Sequence, residues 1–86
     1  MRVRIPSPLH SYTAGAGDVV ADGQTLDELL ADLDRQFPGL RFRIVDEQRR
    51  LRTHIRVFVD GSLAKGLERP VDAASEVMIV CALSGG

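Results

Sequence analysis

Tryptophan is absent from this 86-residue chain, and cysteine, tyrosine and lysine each occur once. A single cysteine, Cys81, excludes an internal disulfide framework and fits a reducing, cytoplasmic compartment. The formal net charge is −1. With no dense Lys/Arg face in prospect, electrostatic binding to nucleic acid is not expected. No apolar run approaches the roughly 20 residues a membrane-spanning helix needs. The opening Met1-Arg2-Val3-Arg4-Ile5-Pro6 is too short and too punctuated for a secretory signal. Catalytic groupings are thin as well. His10 and His54 are the only histidines, and neither has a carboxylate or cysteine at metal-ligand spacing, so no metal site is expected. There is no Ser-His-Asp spacing, P-loop or dinucleotide motif, and Gly15-Ala16-Gly17 is too short to cradle a phosphate. Cys81 alternates in register with Val77 and Ile79, which makes it a core residue before it is a nucleophile. These absences describe a chain that is not an enzyme in its own right.

What remains is the composition of an ordinary folded domain, 44% hydrophobic and 27% charged, with a length that supports one modest core. Residues Arg2 to Ile5 alternate apolar and charged, the period of a half-buried strand, and Pro6 and Pro8 stop them. Asp18 to Ala21 reads as a short second strand. The clearest helix begins at Thr25, which with Glu28 forms a capping box. Leu26, Leu29, Leu30, Leu33 and Phe37 then share one stripe, and Pro38-Gly39 ends the element. Leu40 to Val45 suits a helical turn or an irregular strand. Glu47 to Thr53, with Arg49, Arg50 and Arg52, reads as a solvated loop. Ile55, Val57 and Val59 face one way along a third strand, with His54, Arg56 and Phe58 opposite, and Asp60-Gly61 marks a turn. The last strand, Glu76 to Leu83, is apolar on both faces. It is either buried on both sides in a central position, or has one face in the core and the other open to a partner.

One helix with one leucine stripe covers only one face of a sheet. The class is therefore α+β, in two layers, with the first and last strands as central neighbours. A single domain spanning residues 1–86 is expected, with 83–86 as a flexible tail. That tail ends in Gly85-Gly86, and glycine is a poor way to finish a strand, since it packs nothing and loses the most freedom on ordering. It does leave a slender terminus whose carboxylate enters a narrow site unhindered. Four extended residues reach about 13 Å at ~3.3 Å each.

The whole chain resembles the ubiquitin-like sulfur carriers, the MoaD/ThiS family of β-grasp proteins. The residues that carry the likeness are Val3-Arg4-Ile5-Pro6, the helix from Thr25 to Phe37, the strand and turn Val57-Phe58-Val59-Asp60-Gly61, and the closing run from Glu76 to Gly86. The resemblance implies a mixed sheet of four to five strands with one main helix packed on one face. It implies further that Gly86, presented by Gly85, is adenylated by a ubiquitin-activating-type enzyme using ATP and then converted to a thiocarboxylate. A sulfur donor such as a rhodanese or desulfurase and a downstream sulfur-accepting synthase would complete the set of partners, with no cofactor bound to the carrier itself. Ala74-Ser75 stands where many relatives have Gly-Asp, and Ala82-Leu83-Ser84 where molybdopterin-synthase small subunits often have a proline. These departures, with the insertion between helix and third strand, lean toward the CysO type, which serves cysteine synthesis or specialised thio-metabolism. A molybdopterin-synthase small subunit and a protein modifier forming isopeptide bonds through Gly86 stay open as alternatives, as does an inert binding module.

On this fold Val77 and Ile79 face the helix. Phe58, Met78 and Val80 then form an outer apolar patch rimmed by Arg4 and Arg56, which with Leu83 and Ser84 makes the expected docking surface for the activating enzyme. Ordinary sheet surface with scattered apolar residues is the competing expectation.

Overall fold

The alternating segments of the chain assemble into one five-stranded sheet in the order β2-β1-β5-β3-β4. The strands are β1 (Arg2–Arg4), β2 (Asp18–Val20), β3 (Ile55–Val59), β4 (Ser62–Leu63) and β5 (Glu76–Cys81). The structure, a computed structural model, describes residues 1–82. β1 and β5 run parallel, with Val3 beside Val77, and every other pairing is antiparallel. The first and last strands are therefore neighbours and β5 is central, as their apolar content predicts. This is the β-grasp arrangement, and its five strands match the upper expectation from sequence.

Helix α1 (Leu26–Gln36) lies across one face of the sheet. Its start is set by Thr25, whose Oγ1 accepts the Glu28 N–H at 3.2 Å, satisfying a donor that the first turn leaves unpaired. The return arm of the expected capping box lands one residue earlier than in the usual motif: Glu28 Oε1 accepts the N–H of Gln24 at 2.9 Å. Leu26, Leu29, Leu30 and Leu33 are fully buried, and Phe37 is half-buried at the end of the stripe. They meet Val3, Val57, Val59, Val77 and Ile79 from the inner sheet face in one core. At about 1.5–3 kcal/mol for each fully buried side chain, the four leucines are the main reason the helix stays docked.

The ambiguous segment after Gly39 is helical. Helix α2 (Leu40–Ile44) buries Leu40 and Ile44 and packs on α1 and on a 3-10 helix at Ser7–Tyr12. Gly39 opens it at φ +96°, and a side chain there would press on the Tyr12 ring at 3.3 Å. Asp34 Oδ1 fixes the junction by accepting the N–H groups of Gly39 and Arg41. The segment expected as a solvated loop is only partly so. Residues 47–50 are exposed, but Asp46 Oδ1 accepts the N–H of Gln48 and of Arg50, and Arg49 reaches back to Asp27 on α1. At the other turn, Asp60 (φ 52°) and Gly61 (φ 82°) adopt left-handed backbone in a two-residue hairpin joining β3 to β4, the geometry Asp-Gly favours. The last strand is shorter than expected, ending at Cys81, although the Ala82 N–H still donates to His54 O at 2.7 Å.

Candidate functional site

Strand alternation places one set of side chains on the sheet face that α1 leaves uncovered. The register runs Asp18 to Arg4, Arg4 to Met78, Met78 to Phe58 and Phe58 to Leu63, a single cross-strand row spanning the sheet. Val80, one step along β5 on the same face, sits opposite Arg56. Met78 is 42% exposed and Leu63 44%, while Phe58 and Val80 are half-buried. The patch is thus apolar at its centre and charged at one end, where Arg4 Nε lies 3.6 Å from Asp18 Oδ1. A recess of about 530 Å³ opens here, lined by Arg2, Arg4, Asp18, Phe58, Asp60 and Met78 among others.

The structure therefore brings together Phe58, Met78 and Val80 from the sequence-predicted set. Met78 is exposed, so the last strand is not buried on both faces; one face is core and the other open. Arg4 and Arg56 both lie on the open face, but the Arg56 guanidinium folds back onto the carbonyls of Thr53 (2.7 Å) and Ile55 (3.1 Å). Leu63 belongs to the patch and was missed by sequence reasoning. Its signal was the two-residue Asp60-Gly61 turn, whose register mirrors Phe58 onto Leu63. Leu83, Ser84, Gly85 and Gly86, the remaining predicted site residues and the whole of the expected tail, lie outside the described residues.

Cys81 is half-buried against the core's edge rather than enclosed in it. Burial pushes its thiol pKa up, which works against nucleophilic use near neutral pH. Among the described residues, no three His, Cys, Asp or Glu side chains converge as a metal-ligand set, and no helix is long and apolar enough to cross a membrane.

One main helix, α1, clasped by a mixed five-stranded sheet with β5 at the centre, defines a ubiquitin-like β-grasp protein. Residues 3–86 match the ThiS family, and the chain belongs to it. That bears out the resemblance to the MoaD/ThiS proteins. The chain is 29% identical to the sulfur carrier protein CysO of Mycobacterium tuberculosis over 89 aligned positions, covering 98% of this chain and 96% of the relative. It is similar to a chain in the crystal structure of the Amycolatopsis orientalis BexX/CysO complex, with a TM-score of 0.91 and 32% identity over 99% of this chain and 98% of that one. Its likeness to SAMP1 of Haloferax volcanii is lower, with a TM-score of 0.77 and 27% identity over 99% of this chain and 97% of that one.

Proposed function

We propose that the chain is a cytoplasmic sulfur carrier that works as a cosubstrate, with the Gly86 carboxylate as its reacting group and no catalytic centre of its own. A free carboxylate resists nucleophiles because of its charge and resonance. A ubiquitin-activating-type partner would join it to the α-phosphate of ATP, releasing pyrophosphate and giving the acyl group a good leaving group. A sulfur nucleophile then displaces AMP and leaves a thiocarboxylate, which passes to a sulfur-accepting synthase. Where the rhodanese or desulfurase class supplies the sulfur as a persulfide, displacement of AMP gives an acyl disulfide, and a second thiol then releases the thiocarboxylate by forming a disulfide with the donor's sulfur.

The observation that carries this reading is that the family match runs through residue 86 and so takes in Gly85-Gly86. The relatives named sulfur carrier protein support it, and the 32% identity to a chain of the BexX/CysO complex supports work with a partner protein. In this reading the central position of β5 has a mechanical role. Paired on both sides, the strand holds the root of the tail while the last residues enter the partner. The outer patch of Phe58, Met78, Val80 and Leu63 serves as the docking surface for the activating enzyme, with Leu83 and Ser84 continuing the contact.

Intact-mass measurement tests the reading. Incubation with a cognate adenylating enzyme, ATP and sulfide is expected to add the difference between sulfur and oxygen, and deletion of Gly86 to abolish the gain. An unchanged mass with such enzymes would sink it. Similarity to the small archaeal modifier protein supports a second reading, isopeptide transfer to lysines. Lysine-linked adducts in the same experiment would favour it, with Lys65 the one acceptor lysine on the chain itself.

A further inference from the structure

The basic charge of this chain is not spread evenly. Residues 40–56 hold six arginines and two carboxylates, whereas the rest of the chain is acidic in balance. Arg56 belongs to the open sheet face, and folding sorts the other five into two sets. Arg41 and Arg49 both bind Asp27 and are neutralised by it. Arg43, Arg50 and Arg52 have no carboxylate within ion-pair distance among the described residues. Asp46 lies near Arg50 and Arg52, but its Oδ1 is occupied by the backbone N–H groups of Gln48 and Arg50. Glu47 is the other acid of the segment and is exposed.

One of these cations, Arg52, stacks on Phe42 of α2; Arg43 is next to Phe42 in the helix, and Arg50 lies two residues before Arg52. With Leu40 and Ile44 buried beneath it, Phe42 points outward and is 54% exposed. The Arg52 guanidinium lies 4.5 Å from the centre of its ring, and Arg52 Nε donates to Phe42 O at 2.7 Å. Arg43, on the flank of the same helix, sits 5.9 Å from the Tyr12 ring. On either side of the half-buried Leu51, Arg50 is exposed and Arg52 is half-buried against Phe42. Stacked and hydrogen-bonded, Arg52 is already ordered, and ordering it on binding costs little. An exposed aromatic beside fixed arginines is the composition of an interface centre and not of ordinary surface.

We infer that the Phe42–Arg52 face is a second contact surface, separate from the outer sheet patch, and that it receives a carboxylate-rich surface of a partner protein. Its place in the fold names the partner. The Ala82 N–H donates to His54 O, two residues from Arg52, so the chain leaves the described fold beside this face. The protein that takes up the tail is then the one that meets these arginines. That last step rests on the sulfur-carrier reading; the choice of an acidic protein surface does not. A nucleic-acid backbone is disfavoured because its affinity comes from many phosphate contacts, and the three arginines unpaired among the described residues offer too few.

The test uses the full-length chain, isotope-labelled, and an oligoglutamate peptide as probe. Saturable amide shifts are expected at Phe42, Arg43 and Arg50 to Arg52, weakening with salt and absent with oligoglutamine. Arg50→Glu, whose guanidinium bonds only to Gln48 among the described residues, and Arg52→Glu are expected to abolish the shifts, and Arg35→Glu to retain them. Shifts that follow every arginine alike, or stronger binding at these residues by a short DNA duplex or by AMP, would overturn the proposal. With the cognate activating enzyme, Arg50→Glu is expected to lower kcat/KM for adenylation about tenfold at low salt with kcat unchanged, the size of a lost steering interaction. Should the peptide fail while wild-type chain still gains sulfur, this inference falls alone. Should the peptide bind and no thiocarboxylate form, the carrier reading falls and the acidic-partner face stands.

Discussion

Asp27 and Arg49, 22 residues apart in sequence, meet at 2.8 Å and tie the 46–52 segment to helix α1. The other oxygen of Asp27 accepts from Arg41 at 2.6 Å. One carboxylate in the first turn of α1 thus holds both α2 and the loop after it. The hydrogen bond from Arg41, seconded by Arg49, keeps the Asp27 carboxyl below its ordinary pKa despite some burial. A depressed carboxylate contributes stability that is complete above its unfolded value and is lost as pH falls through the folded one. Asp27→Asn is therefore expected to cost about 1 kcal/mol at neutral pH, limited by solvent screening. The gap between variant and wild type should close below about pH 4. Urea unfolding at a series of pH values reads both effects, and a gap that persists in acid would refute the assignment.

The N-terminal cap of α1 rests on the Thr25 hydroxyl. Thr25→Ala is expected to lower stability by about 1 kcal/mol. Leu30→Ala, in the middle of the buried stripe, should cost about 2–5 kcal/mol because a cavity is left between helix and sheet. Thermal unfolding followed by circular dichroism separates the two. Equal losses would mean that the helix is held by its cap and not by its leucines.

The layers of this fold were legible because they follow from strong periodicities. The leucine stripe and the alternation of Val57 and Val59 with Phe58 each have one physical reading, whereas the continuous run of β5 marked a strand and left open whether its outer face was buried or free for a partner. Phe58, Met78 and Val80 followed from the same alternation. Leu63 did not, because β4 has two residues, too few to show a period; only the register of the turn places it. The short helix α2 was ambiguous because five residues fit a helical turn and an irregular strand alike, and the packing of Leu40 and Ile44 under α1 decided between them. The arginine face was invisible for a related reason. Arg43 and Arg52 are nine positions apart, and reading Arg49, Arg50 and Arg52 as one solvated cluster hid that Asp27 takes one of them and Phe42 another.

On the outer sheet face, Met78→Asp is expected to slow adenylation by the activating enzyme at least tenfold while leaving the fold intact. The side chain is exposed, so the core loses nothing, and a charge placed between Arg4 and Phe58 would be desolvated on docking. Adenylate formation, followed by pyrophosphate release, reads the effect, and the unfolding curve supplies the control. An unchanged rate would remove the outer patch as the docking surface.

Cys81 closes β5 just before the tail. With burial raising its pKa and no cation positioned to stabilise the thiolate among its described hydrogen-bond partners, little of the reactive form exists at neutral pH. Alkylation by iodoacetamide is expected to be slower at pH 7 than for an unstructured thiol and to climb at higher pH than an ordinary cysteine does. Full-rate alkylation in urea, followed by intact mass, provides the reference. Cys81→Ser should leave the gain of sulfur at Gly86 unchanged, because the acyl group is activated on the partner and needs no thiol from the carrier. Loss of the thiocarboxylate in that variant, with its stability preserved, would instead give Cys81 a part in the transfer.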